Sequence, residues 1–358
     1  MNLFPYIYEP DKSIAVYHKT HTYLEENKSI SDKVQNLGWI YHEVGCVIPQ
    51  TTENWWSGHS FPFNESWDEL QISFTLCCFG LYKQAFVSLR SALELGLLSV
   101  YYNINDEGHE TVKEWYASQD DAKTPRTEMI WKIILSNSAI SKFNEKFSLR
   151  QSYDDLNFLH NYVHTKGAVY SNDLGGLKGN SQVFLRKAFN NWLSCYENII
   201  RLIATLHLLK YPLSVVEFDY RSKFGIDMPN FGGLEKLKLD RVGSILHVQY
   251  LDEIKAIAEA DEKTQLTLRG IQSLPNITEG EMEEQALNVY RMFIEHGDGF
   301  IAWEKQQYEF LEKLLAAIPQ SEHEDLKIIT EHRIELLRPW AVENNFMESK
   351  AKRMGWQV

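Results

Sequence analysis

The sequence predicts an all-α protein. Three observations carry that expectation. In AFVSLRSALELGLLSVYYNI (85–104) the apolar residues Phe86, Leu89, Leu93, Leu97, Val100 and Ile104 recur at three and four, the spacing of one buried helix face. Leu185, Phe189, Trp192, Tyr196, Ile199, Ile203 and Leu206 keep a seven-residue register over a second long stretch. No segment alternates apolar and polar residues in the manner of a half-buried strand.

In chain order, residues 11–44 read as one or two helices that end near Gly45 and Pro49. TTENWWSGHSFPFNES (51–66) reads as an aromatic loop rich in turn formers. Trp67, Leu70, Phe74, Cys78 and Leu81 return to helical spacing, and Gly80 lets that helix turn into the next. Shorter helices are expected over Thr111–Ala117 and Glu128–Ser136, the second after Pro125. SYDDLNFLHNYVHTKG (152–167) reads as one helix, with Ser152 and Asp155 at its start and Gly167 at its C-cap. A loop, AVYSNDLGGLKGNSQ, leads into the seven-residue register.

EFDYRSKFGIDMPNFGG (217–233) replaces periodicity with proline and glycine and marks a boundary. Beyond it, Thr278 with Glu281 and Ser321 with Glu324 have the form of capping boxes. Met282–His296 and Ile301–Ile318 form an expected antiparallel pair joined by Gly-Asp-Gly. The stripe Ile301, Tyr308, Leu311, Leu315 and Ile318 is its packing face. The last sixteen residues, ENNFMESKAKRMGWQV, read as a loose tail with Trp356 docked. The expected organisation is an N-terminal helical segment and aromatic loop over 1–60, a helical bundle over 61–215, and a C-terminal helical domain over 234–358.

With 358 residues, 44% of them hydrophobic, the chain is long enough for more than one core, and its composition is that of a packed protein, not a disordered one. The most apolar windows, Ile72–Tyr82 and Ala92–Tyr102, are too short to cross a bilayer, so no membrane partner is expected. The first residues lack a basic stretch followed by an apolar run. Cys46, Cys77, Cys78 and Cys195 lack CxxC spacing, which suits buried thiols in the reducing cytoplasm. A net charge of −13 argues against broad nucleic-acid binding. The balance reverses between Lys123 and Lys187, where ten lysines and arginines, Arg150, Lys166 and Lys178 among them, face five acidic residues.

Arg90 and Glu94 sit on the rim of the 85–104 apolar face, where a guanidinium needs a carboxylate, a carbonyl or a ligand. His160 and His164 occupy the rim of the 152–167 stripe, one turn apart. An HxxxH pair is able to hold one metal ion. Asn161 follows His160 where a metalloprotease has glutamate, and no third ligand lies nearby, so no metal or other cofactor is expected. GGLKGNS (175–181) lacks P-loop spacing and follows no strand, and Gly58–Ser60 builds no nucleophile elbow.

LYKQAFVSLRSALELGLL and YDDLNFLHNYVHTKG together resemble the HEPN superfamily, the helical bundles named for higher eukaryotes and prokaryotes nucleotide-binding. Ala85, Leu89, Arg90, Leu93, Glu94, Tyr153, Leu156, Val163 and His164 carry the pattern, over roughly residues 66–210. The resemblance implies a HEPN-like bundle followed by a second helical region. It implies either a metal-independent endoribonuclease of a bacterial toxin or anti-phage defence system, or a non-catalytic module that dimerises or binds a protein partner. On the first reading His164 serves as acid–base, with His160 assisting. Arg90 holds the phosphate, and Glu94, Lys166 and Arg150 line the substrate site. RNA, a second copy of the chain, and a partner or antitoxin protein are the implied partners.

The family's pattern of Arg, four to six residues, then His is absent before His164. It occurs at Arg201–His207, Arg241–His247 and Arg291–His296. Six residues of straight helix leave Arg201 and His207 about 120° apart, with His207 edging the apolar stripe.

Overall fold

The computed structural model describes residues 8–49, 51–105, 109–117, 123–172, 182–226 and 232–353. Among them all regular structure is helical, as the spacing of apolar residues requires. The chain divides into two compact units, 1–218 with 230–271, and 219–229 with 272–358.

The first unit opens with α1 (Pro10–Glu26) and α2 (Lys28–Gly45), followed by α3 (Thr52–Ser57) and α4 (Phe61–Cys78). The stretch expected as an aromatic loop is therefore helical at both ends. Thr51 Oγ1 accepts the Asn54 amide at 3.1 Å, Gly58 closes α3 at φ +81°, and Pro62 sits in the first turn of α4. α5 (Tyr82–Asn105) returns antiparallel to α4. Serines tie the two: Ser66 Oγ donates to the Ala92 carbonyl and Ser73 Oγ to that of Ala85, each at 2.7 Å. Gly80 makes the turn at φ +76°, which side chains with a Cβ rarely adopt.

α6 (Glu110–Tyr116), α7 (Thr127–Ile134), α8 (Ser138–Phe147), α9 (Leu149–Asp154) and α10 (Leu159–Val163) follow. The expected single helix over 152–167 is thus two short pieces. Between them the amides of Leu156, Asn157, Leu159, His160 and Asn161 each reach back three residues, a tighter turn than an α-helix makes. The helix starts at Leu149, after Ser148 in the left-handed region, and Ser152 caps nothing.

α11 (Arg186–Lys210) is the central helix, and Phe189, Trp192, Tyr196, Ile199, Ile203 and Leu206 are all buried along it. It packs on α5, where the pro-chiral hydrogen of Gly96 faces Ile203. A Cβ there would stand 2.8 Å from Ile203 Cγ1. In the second unit α12 (Arg221–Phe224) comes first in chain order, and the chain then returns to the first unit for α13 (Lys236–Gly243), α14 (Val248–Ala260) and most of α15 (Glu262–Ser273).

Two expected boundaries change. Residues 234–271 belong with the first unit, because Leu239, Val242, Ile254 and Ala258 bury their side chains in its core. Residues 8–49 are no separate segment either, since Leu37, Ile40, Tyr41 and Val44 enter the same core. Among the segments read from sequence, 173–181 with Lys178, 227–231 and Trp356 lie outside the described residues.

The second unit holds α16 (Glu279–His296), α17 (Phe300–Ala317), α18 (His323–Glu343) and α19 (Lys350–Arg353) around Leu287, Ile294, Phe300, Trp303, Ile334, Leu337 and Ala341. The Thr278–Glu281 capping box is present in full. Ser321 is not a cap: it lies within a 3-10 turn, Gln320–Glu322, and α18 begins at His323. The expected face of α17 is also offset. Ile301 and Tyr308 are exposed, while Phe300, Trp303 and Leu311 are buried. The tail is not loose at its start, because Phe346 and Met347 pack on this core and the Phe346 carbonyl accepts the Phe300 amide at 2.8 Å.

No described helix is long and apolar enough to cross a membrane. All four cysteines are free thiols. Cys77, Cys78 and Cys195 are buried and Cys46 half-buried, and burial pushes the Cys78 and Cys195 thiols up to about 12.

Candidate functional site

Helical periodicity puts residues 83, 86, 90 and 94 on one side of α5. The α9–α10 limb runs along that side. Phe86 and Tyr162 stack with ring centroids 4.8 Å apart and planes 9° apart, and Lys83 Nζ donates to Thr165 Oγ1 at 2.8 Å. Near the other end of the limb, Tyr153 is buried against Arg90.

Arg90 is itself 6% exposed, a rare state for a guanidinium. Nη1 donates to the Tyr153 hydroxyl at 3.1 Å and Nη2 pairs with Glu94 Oε1 at 2.5 Å. The Glu94 carboxylate is half exposed. The pair therefore bridges the interior and the surface.

His160 is half-buried and His164 exposed, their ring centroids 4.2 Å apart. Desolvation lowers the His160 pKa. The positive charges of His164, Lys166 and Arg90 lower it further, and Glu94 opposes them. Five residues expected at the site, Arg90, Glu94, His160, His164 and Lys166, thus form one electrostatic neighbourhood. Its neutral imidazole is favoured at His160 and cations surround it.

Arg150 is placed differently. Its guanidinium lies over the rings of Trp131 and Tyr153, and it pairs with Glu128 at 3.0 Å and Asp154 at 3.2 Å. Those two carboxylates raise its pKa against an opposing desolvation. Tyr153 is therefore flanked by two arginines, one inside the site and one committed to neighbouring acids.

In the three pairs with the family's spacing, each arginine has partners of its own, and so does His207. His207 is fully buried, with Nδ1 2.8 Å from the Ile203 carbonyl and Nε2 3.1 Å from Ser99 Oγ, and its pKa is driven down to about 4. Arg201 bonds Glu197, Asn198 and the Ile245 carbonyl. Arg241 pairs with Glu43 at 2.5 Å, and Arg291 with Glu284 and Asn288.

Sequence reasoning missed a second cluster. His59 Nδ1 stands 2.7 Å from both Ser57 Oγ and His109 Nδ1, and His109 Nε2 lies 3.3 Å from Glu53. His59 and Ser57 are buried, and His109 holds a left-handed backbone at φ +62°. The fifty residues between the two imidazoles hid the pairing, and only the unusual density of His, Ser and Trp in 51–60 hinted at it. The cluster joins α3 to the start of α6.

Among the described residues no group of three or more His, Cys, Asp or Glu side chains is arranged to hold a metal ion. No family model matches this sequence, and comparisons with curated proteins and with solved structures find none similar to it.

Proposed function

We propose that the α5 face and the histidine limb form a phosphodiester site that cleaves RNA without a metal ion. The observation that carries this reading is the gathering of Arg90, His160, His164 and Lys166 within mutual electrostatic reach on two distant stretches of chain. Strand scission of this kind needs a base for the 2′-hydroxyl proton, a cation for the phosphorane oxygens, and an acid for the departing 5′-oxygen. His160, whose neutral form is favoured, suits the base. His164, exposed beside it, suits the proton transfer to the leaving oxygen. Arg90 supplies a planar donor fork and Lys166 a mobile charge. Glu94 must yield Nη2 of Arg90 when a phosphate arrives.

In this reading the protein acts as a HEPN-like homodimer in a bacterial cytoplasm, in a toxin or anti-phage setting. Purified full-length protein incubated in EDTA with labelled single-stranded RNA is expected to leave 2′,3′-cyclic phosphate ends. His164→Ala is expected to slow cleavage by about a hundredfold or more. Undiminished cleavage by that variant, or no cleavage by the unaltered protein, overturns the proposal.

One observation favours a non-catalytic reading. Arg90 is already satisfied by Glu94 and Tyr153, as a structural arginine would be. A scaffold module would bind its protein partner or second copy equally well with His164 replaced and would cut no RNA.

A further inference from the structure

A second concave site lies wholly in the second unit. A cleft of about 390 Å³ opens among α12, the first half of α16 and the middle of α18. Its apolar lining comes from Met282, Ala286, Leu287 and Ile329. Charged groups of both signs share the cleft: Arg221 and Arg333, and Glu279 and Glu283.

Hydrogen bonds hold these walls in place. Gln285 Nε2 donates to the Phe224 carbonyl at 2.9 Å, and its Oε1 accepts the Ile226 amide at 3.0 Å. The Ile277 amide donates to the Ser222 carbonyl at 2.9 Å. The segment that carries Arg221 is therefore tied to the start of α16. His332 Nε2 lies 3.3 Å from Glu283 Oε1 and joins α18 to the same helix. Glu279 and Glu283 stand one turn apart, on one side of α16.

What these charges leave undone points to a ligand. Arg221, Arg333 and Glu279 make no ion pair among the described residues. Arg333 is half-buried, and Nη1 donates to the Tyr290 hydroxyl at 3.3 Å with the guanidinium over the Tyr290 ring. A guanidinium has five donors, and burying it short of acceptors is costly. Cations and carboxylates that line one cleft without pairing across it leave room for a molecule bearing both charges. A ligand with a carboxylate alone would leave the glutamates unanswered, and an amine alone would leave the arginines so.

We propose that this cleft binds a free α-amino acid with an apolar side chain. Arg333 and Arg221 take its carboxylate, Glu279 and Glu283 its ammonium group, and Met282, Ala286, Leu287 and Ile329 its side chain. The volume lies at the lower end of the range for small-molecule sites, which suits a ligand of that size. The site gives the second unit a ligand of its own and stands independently of RNA cleavage in the first.

L-leucine titrated calorimetrically into the full chain is expected to saturate. 4-Methylpentanoate, which lacks the ammonium group, and 3-methylbutylamine, which lacks the carboxylate, are expected not to. Arg221→Gln and Glu279→Gln are each expected to weaken leucine by about tenfold, the loss of one hydrogen bond to a charged group. Both side chains are exposed and outside any ion pair, so both variants are expected to keep the melting temperature of the unliganded protein. Failure of leucine to saturate below about 10 mM, the threshold of weak but specific affinity, overturns the proposal. So does either truncated analogue binding as well as leucine, or affinity unmoved in both variants. Leucine binding lost in His164→Ala but kept in Arg221→Gln and Glu279→Gln would belong to the histidine limb and also overturns it.

Discussion

Arg90 donates to the hydroxyl of Tyr153 at 3.1 Å across sixty-three residues of sequence, and this bond fixes the limb that carries both histidines. The guanidinium is buried, so its two partners decide whether it is a strut or a tool. Tyr153 holds it from inside, while Glu94 holds it from the exposed side.

Tyr153→Phe keeps the ring and deletes the bond. A loss of about 1–2 kcal/mol is expected, because the buried charged donor is left one acceptor short. Urea unfolding measures this. In the nuclease reading the same variant misplaces Arg90, so RNA affinity falls while the pH profile of cleavage keeps its shape.

Glu94 and Arg90 are expected to differ in what their loss does. Glu94→Gln removes a half-exposed charge and costs about 1 kcal/mol or less. Arg90→Met leaves the Tyr153 hydroxyl buried without its donor and changes the interior packing, costing about 2–4 kcal/mol. Paired denaturation curves test the asymmetry, and equal costs would contradict the burial difference.

His207 makes stability depend on pH. Burial holds its folded pKa at about 4, below the unfolded value near 6.5, so the unfolded chain binds the extra proton first. Its contribution is complete above about pH 6.5 and is lost progressively as pH falls towards 4, up to roughly 3 kcal/mol. His207→Gln is expected to flatten that part of the stability profile measured between pH 4 and 7. An unchanged slope would remove His207 as its source.

Gly96 allows α5 and α11 to touch. Gly96→Ala is expected to cost about 1–3 kcal/mol, since the new methyl meets Ile203 at 2.8 Å. Ile203→Ala leaves room for it, so the double variant should be more stable than the sum of the two single costs allows. Simple additivity in thermal melts would show that the helices had moved apart.

The helical periods of 85–104 and 185–206 told which faces would be buried, and Phe86, Leu89, Leu93, Phe189, Trp192 and Ile203 are all interior. The candidate residues Arg90, Glu94, His160 and His164 were also legible, because charged groups on the rim of an apolar stripe need partners. Their partners were less so. Glu94 lies four residues from Arg90 and was foreseeable, whereas Tyr153 was known only as part of a pattern. The break between α9 and α10 was hidden, since a tight turn and an α-helix share much of the same residue chemistry over eight residues.

The sequence by itself determined that the protein is helical, which faces of its two longest core helices point inward, and where the Thr278 cap begins. These are local properties, set by side chains three and four residues apart. Only the tertiary structure decided that 234–271 joins the first unit, that His59 meets His109, and that Arg90 finds the Tyr153 hydroxyl. Each of these depends on long-range packing, in which many weak contacts choose among arrangements that no single stretch of sequence distinguishes.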